Sequence, residues 1–234
     1  MIPAPALQTG SFLAVCALAG ALAVPLHPVA SPVAAMLAAL VGLGGLRVWR
    51  WSGLFVSIKT ERAQGAERLV QPVLAMGIGL IVGLFVLTVL RLAIQPAVPE
   101  VGARLAAAGA MPVWRRLVVI YVAAVGEELV FRLLLLSFVV GVASRSFRHA
   151  DATPSANTIR VATGVSALTF AAVHLPAWSA VVPLSCGLVL AVLSLNTLGG
   201  LTFGWIFVRR GIGAAIWTHA GADVATQLIG PLTR

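Results

Sequence analysis

Apolar runs recur along the whole chain, broken by short basic or proline-containing connections. A bilayer-crossing helix needs roughly 20 predominantly apolar residues. On that ruler the pattern predicts spans at about 8–26, 30–46, 72–94, 117–142, 160–176 and 211–230. Pro25, Pro28 and Pro32 separate the first two, because proline removes a backbone donor and ends a helix. The stretch from Ser179 to Val208 is too long for one upright helix and short for two. Asn196, Gly199 and Gly200 are where a break in it is expected. The reading is an all-α polytopic transmembrane helix bundle of seven or eight helical segments, a single integral-membrane domain over 1–234. Residues 1–100 supply generic spans, and 115–225 carry the polar motifs.

Composition agrees with the pattern. The chain is 60% hydrophobic and 10% charged, with mean hydropathy +1.02, where an ordinary soluble domain is about a quarter charged. A soluble fold of this length has too little interior to hide that much apolar side chain. The N-terminal "MIPAPALQTGSFLAVCALAGALAVPL" lacks the positive n-region of a secretory signal and reads as a first span. The net charge of +9 comes from 15 arginines and one lysine against seven acids. These cations fall mainly between apolar segments (Arg47, Arg50, Arg62, Arg68), so the charge reads as membrane orientation and headgroup contact, with no nucleic-acid partner. "RVWRWSGLFVSIKTERAQGAERL" is the most basic connection and is placed in the cytoplasm, as is "SRSFRHADATPSANTIR" two spans later. The connection before Trp114 then faces outward although it carries Arg104, Arg115 and Arg116, a mild conflict. Multi-pass insertion in the plasma (inner) membrane is expected.

Other residues read as packing. Gly79 with Gly83 and Gly200 with Gly204 have the four-residue spacing that lets helices approach closely. Trp49, Trp51, Trp114 and Trp178 fall near span ends, where indoles favour the interface. Cys16 and Cys186 sit inside apolar runs, which argues against a disulfide or thiolate metal site. His27 and His149 lie in turns and loops, and Arg91 sits near enough to a span end to snorkel.

The ionisable residues left deep in apolar spans are Glu127, Glu128, Arg132, His174, His219 and Asp223. Each costs at least about 2.5–3.5 kcal/mol at bilayer depth and marks a functional site by default. Glu128 and Arg132 are four apart and share a helical face, whereas Glu127 is rotated by about 100°. One glutamate can therefore be held by the arginine while the other is free to work. Phe170 and His174, and again His219 and Asp223, are also four apart. Ala220, Gly221 and Ala222 leave room beside the last pair.

A carboxylate with two imidazoles can hydrolyse a bond through a glutamate-activated water. It can also ligate zinc, or relay protons or ions across the membrane. A non-proteolytic scaffold or immunity protein is a further alternative. "HExxH" is absent, so a zinc site would draw its ligands from three helices; no metal or other cofactor is expected. Neither "GxSxG" nor a cysteine beside a histidine supports a Ser or Cys nucleophile.

"EELVFR" (Glu127–Arg132) fits EExxxR, "FAAVH" (Phe170–His174) fits FxxxH, and "HAGAD" (His219–Asp223) fits HxxxN/D. In that order on separate helices they resemble the CAAX protease and bacteriocin-processing (CPBP, or Abi) family of intramembrane glutamic endopeptidases. The resemblance covers about residues 115–225, including "FGWIFVRRGIGAAIWTHAGAD" on the approach to the last motif. It implies a metal-independent peptide hydrolase acting on membrane-associated, possibly prenylated CAAX-type, protein or lipidated peptide substrates. By motif position Glu127 is the base that activates water, aided by His174. His219 and Asp223 form the oxyanion side, and Glu128, Arg132 and Phe170 support them. The best-studied branch has Asn where this chain has Asp223. An amide donates at any pH, whereas a carboxyl donates only when protonated. An ionised Asp223 would instead hold His219 as an imidazolium.

Overall fold

The computed structural model describes residues 4–24, 28–54, 67–147, 153–180 and 182–232. The expectations for His27, Arg62 and His149 fall outside the described residues. Eight helical rods run through the described residues, with no strand among them. They are α1 (Ala4–Ala23), α2 (Ala30–Trp51) and α3 (Glu67–Val89, extended by a π turn Leu90–Ile94), then α4 (Glu100–Ala110). The fifth, α5, runs from Val113–Glu128 through a π-helical stretch Leu129–Leu136 into Ser137–Phe147. α6 is Ala156–Ala172, α7 is Cys186–Arg210, and α8 is Ile212–Val224 with a π turn Ala225–Ile229. Among the described residues, four stretches are long and apolar enough to cross a membrane: Ala30–Trp51, Val70–Ile94, Ala156–Ser179 and Cys186–Arg210.

Two expectations change. Asn196, Gly199 and Gly200 do not break the chain; α7 is one helix of 25 residues. Asn196 stays helical and its Nδ2 donates to the Val192 carbonyl (2.8 Å), while Gly200 is where α7 touches α6. The helix instead starts late, at a Ser185 cap whose Oγ accepts from the Leu188 amide (3.2 Å). Second, the connection before Trp114 contains a helix of its own, α4, in "EVGARLAAAGA".

Small residues set the packing. Gly79 and Gly83 of α3 face α8, where a Cβ on Gly79 would overlap the Thr218 carbonyl and one on Gly83 the Ala222 carbonyl. Gly221 of α8 replies in kind, lying against the Met76 carbonyl of α3. Backbone thus meets backbone, the contact that small residues permit in a medium offering no hydrophobic drive between helices. Gly200 of α7 likewise lies against the backbone of Ala167 on α6, and Gly204 makes room for the Thr163 side chain. On the opposite side of α3, Val73, Ile81 and Leu92 are exposed, as lipid-facing residues would be. Gly211, at φ +83°, joins α7 directly to α8 in a left-handed conformation that glycine alone adopts freely. That reversal folds α8 back along α7 and sets His219 beside Phe203.

The bundle has two ends. At one, Arg145 at the end of α5 donates to the Trp51 carbonyl at the end of α2 (2.7 Å). At the other, Arg91 of α3 and Arg116 of α5 donate to the Gly230 (2.8 Å) and Gln227 (3.0 Å) carbonyls at the end of α8. There Arg104 of α4 donates to the Ala177 carbonyl (2.7 Å) and stacks on Trp178 at 4.1 Å.

Candidate active site

The Glu128 carboxylate on α5 has no exposed side-chain surface. A bare ion there would be prohibitive, so each contact has a physical purpose. Its Oε1 lies 3.1 Å from Arg132 Nη1, the expected i,i+4 pair, and 2.9 Å from His219 Nδ1, which donates to it. Arg132, also fully buried, donates from Nη2 to the Gly200 carbonyl (3.1 Å). Its guanidinium carbon lies 4.6 Å from the Phe170 ring centre, 5.4 Å from Phe203 and 6.0 Å from Phe131. Aromatic faces offer a desolvated cation about 2 kcal/mol of attraction that aliphatic walls do not.

The backbone around this pair is unusual. Directly after Glu128 the helix widens to a π form over Leu129–Leu136, a feature that concentrates at functional sites. Widening alters which carbonyls have helical partners. Two that lie inside it are taken by serines: Ser166 Oγ donates to Phe131 O (2.6 Å) and Ser137 Oγ to Arg132 O (3.3 Å).

His219 on α8 is the hub. Its Nδ1 is committed to Glu128, while its Nε2 is 3.7 Å from both Glu127 Oε2 and Asp223 Oδ2. Those separations exceed a direct N–H···O bond. The ring stacks on Phe203 (centroids 4.6 Å, 17°) and meets the edge of Phe170 at 5.8 Å. Two aromatics and a carboxylate thus fix the orientation of the imidazole.

His174 stands in the turn between α6 and a short helix Leu175–Ser179, inside the candidate membrane span Ala156–Ser179. Its Nδ1 is 2.7 Å from the Phe170 carbonyl and its ring packs on Phe170 at 4.8 Å. A carbonyl only accepts, so Nδ1 carries the proton. In the neutral ring Nε2 then presents a lone pair.

Two cavities reach this group. One, of about 100 Å³, lies among α3, the end of α6, α7 and α8, and is lined by Phe170, His174, Asn196, His219, Asp223 and Thr226 among others. A water needs only about 10–15 Å³ of such space. The other, about 370 Å³, lies between α1 and α5, and Glu127 is its acidic wall beside Leu22, Val119 and Gly126. Glu127 is partly open to it, with 32% of its side chain exposed, while its Oε2 is buried with no hydrogen-bond partner among the described residues.

The structure therefore gathers Glu127, Glu128, Arg132, Phe170, His219 and Asp223 around one imidazole. His174 joins through Phe170 and the cavity it shares with His219 and Asp223. Glu127 and His174, expected to act together, line different cavities, with His219 between them. Among the described residues no group of three or more His, Cys, Asp or Glu side chains is arranged to hold a metal ion. Sequence reasoning missed Phe203, which has no charge to attract notice, and took Asn196 for a helix break. The spacing of Asn196, Gly199 and Phe203 along one face of α7 was the available signal.

Residues 109–225 match the family model described as type II CAAX prenyl endopeptidase, Rce1-like. Neither a curated protein nor a solved structure matches the chain. The matched region spans half of the sequence and includes all three polar stripes as well as the turn that sets α8 against α7. An integral membrane protein built on that core belongs to the Rce1-like family of type II CAAX prenyl endopeptidases, and is a peptide hydrolase.

Proposed function

We propose that the protein is a glutamic intramembrane endopeptidase, in which a water activated by Glu127 cleaves a peptide bond of a membrane-associated substrate. The observation that carries this reading is the environment of His219. One ring nitrogen is fixed by Glu128 at 2.9 Å, and the other faces Glu127 Oε2 and Asp223 Oδ2 at 3.7 Å each. A substrate carbonyl placed at Nε2 has an acid on either side and a donor in front.

Glu127 takes a proton from water, and the hydroxide adds to the carbonyl carbon. His219 Nε2–H then donates to the oxygen that becomes negative, while Nδ1–H remains on Glu128. As the C–N bond breaks, the proton held by Glu127 passes to the leaving amine, and Glu127 returns to a carboxylate. A positioned base contributes about 10²–10⁴-fold, and an oxyanion donor about 10²–10³-fold in kcat. His174, which lines the smaller cavity and has an Nε2 lone pair to accept with, orients the water or a substrate amide from that side. Glu128 and Arg132 position His219 and do not touch the reacting atoms. A prenylated CAAX-type peptide is the substrate that the family suggests, and the plasma membrane is the proposed location.

The test is cleavage of a quenched fluorescent farnesylated CAAX peptide by the purified protein in detergent. Glu127→Gln and His219→Ala should each abolish it. Undiminished turnover by Glu127→Gln would remove the base from this scheme.

A further inference from the structure

Two neutral polar residues line the smaller cavity and take no part in the scheme above: Asn196 on α7 and Thr226 in the π turn that ends α8. A polar side chain within an apolar span ordinarily serves as glue, bonding to a neighbouring helix. Asn196 does not. Its Nδ2 donates to the Val192 carbonyl of its own helix (2.8 Å), and it has no other hydrogen-bond partner among the described residues. A carbonyl only accepts, so this bond fixes which end of the amide faces the helix. One N–H and the whole of Oδ1 are left without a protein partner. Thr226 is similar. Its hydroxyl donates to the Asp223 carbonyl on its own helix (3.3 Å), which leaves its oxygen able to accept.

The turn at Gly211 brings these two residues to one level. It runs α7 and α8 antiparallel, and Phe203 stacks on His219 at 4.6 Å. Seven residues back along α7 from Phe203 is Asn196, and seven forward along α8 from His219 is Thr226. A seven-residue step is close to two helical turns, so each lies on the same helix face as the ring it is counted from. At about 1.5 Å per residue, both stand about 10 Å from the imidazole along the helix axes. Between them and His219, Gly199 and Asp223 share a level by the same count. A Cβ on Gly199 would meet nothing closer than the Phe203 ring at 3.6 Å, so α7 leaves open space there. The cavity is thus a slot that starts at His219, passes Asp223, and reaches two hydrogen-bonding side chains two turns away.

That distance limits what the pair can do. A donor about 10 Å from the imidazole is out of reach of an oxyanion formed at His219 Nε2. An extended peptide rises about 3.3 Å per residue, so the same distance is about three residues of main chain. In an extended chain one residue presents its N–H and its C=O to the same neighbour, as in a strand pair. Asn196 offers the matching set, Oδ1 for the N–H and the remaining Nδ2–H for the C=O, and Thr226 adds a second acceptor. We infer that Asn196 and Thr226 hold the main chain of the substrate about three residues from the cleaved bond. For the bond that is cut this rests on the proposed endopeptidase, whereas binding of an extended main chain does not require cleavage.

Asn196→Leu and Thr226→Val remove these contacts and should leave Tm unchanged, because neither side chain bonds across helices among the described residues. Each should raise KM for the farnesylated peptide by about 2- to 12-fold, the worth of an ordinary hydrogen bond, with kcat little changed. Thr226→Ser should keep the parent KM. Single backbone N-methyl groups, placed in turn on each amide within four residues of the cleaved bond, locate the contact. One about three residues away should raise the parent KM by a similar factor and cost nothing further in Asn196→Leu. Binding is also read without turnover, as the Kd of a fluorescein-labelled copy of the peptide for Glu127→Gln, with and without Asn196→Leu. The same N-methyl position should weaken that Kd, again only while Asn196 is present. Loss of kcat at unchanged KM in Asn196→Leu, or N-methyl effects that add in full to that substitution, overturns the inference while cleavage by the parent upholds the protease reading. Coupled binding without cleavage by the parent counts against the protease reading alone. No binding of the peptide to Glu127→Gln overturns the inference.

Discussion

Glu128 Oε1 accepts from His219 Nδ1 at 2.9 Å, while Glu127, the next residue on α5, stands 3.7 Å from the opposite nitrogen of the same ring. Adjacent glutamates therefore address one imidazole from its two ends. Only one of them is also bound to an arginine.

That arrangement separates stability from turnover. Glu128→Gln leaves Arg132 as a buried cation without its counter-charge, and breaking such a pair costs about 3–5 kcal/mol. Thermal unfolding in detergent should show a large fall in Tm for Glu128→Gln, with activity reduced as well because His219 loses its anchor. Glu127→Gln removes a charge from a half-open carboxylate that has no ion pair to an arginine. It should unfold close to the parent temperature yet lose about 10²–10⁴-fold in cleavage rate. Equal Tm losses in the two variants would contradict the division of roles.

Much of this was legible in the chain because lipid makes polar residues conspicuous. Six ionisable groups stood out against apolar spans, and the four-residue spacing of Glu128 with Arg132 and of His219 with Asp223 is found in the geometry. The cross-helix partners were not legible. That Glu128 serves His219 depends on how α5 packs on α8, which the π stretch and Gly211 govern, and neither leaves a periodicity to read. Phe203 is silent for a different reason: a phenylalanine in an apolar helix looks like core until its ring is seen between Arg132 and His219. The basic residues around α4 have contacts that no periodicity announces: Arg104 donates to the Ala177 carbonyl and Arg116 to that of Gln227.

The α3–α8 contact yields a prediction about folding. Gly79 and Gly221 each lie where a Cβ would overlap a backbone carbonyl of the facing helix. Backbone cannot rotate away as a side chain would, so the helices must part. Gly79→Val and Gly221→Val should each destabilise the protein by about 1–3 kcal/mol or more. Because α8 carries His219 and Asp223, cleavage should fall with stability. Gly77→Ala, on the same helix but with open space at its Cβ, is the control and should leave Tm unchanged.

Chelators distinguish the glutamic mechanism from a metal one. In the proposed scheme His219 Nδ1 is occupied by Glu128 and the base acts directly on water, so no step requires an ion. Treatment with 1,10-phenanthroline followed by desalting should leave the rate of peptide cleavage unchanged. A loss that zinc restores would replace Glu127 as base by a metal-bound water.

Asp223 provides the sharpest test of the oxyanion side. Its Oδ2 lies 3.7 Å from His219 Nε2 and it lines the same cavity as His174. If the residue serves by hydrogen-bonding at the reacting carbonyl, an amide does this in any protonation state, and Asp223→Asn should keep cleavage within about tenfold of the parent. If it serves by its negative charge, holding His219 doubly protonated, Asn cannot substitute, and the loss should approach the 10²–10³-fold of a deleted oxyanion donor. Asp223→Ala removes both capacities and sets the lower limit. The geometry favours the second account, because Glu128, Glu127 and Asp223 all direct carboxylate oxygens at one ring and an imidazolium can donate from both nitrogens. Asp223→Asn is accordingly expected to behave like Asp223→Ala, with kcat reduced and KM little changed. An Asn variant as active as the parent would assign Asp223 to hydrogen bonding and remove the charge from the mechanism.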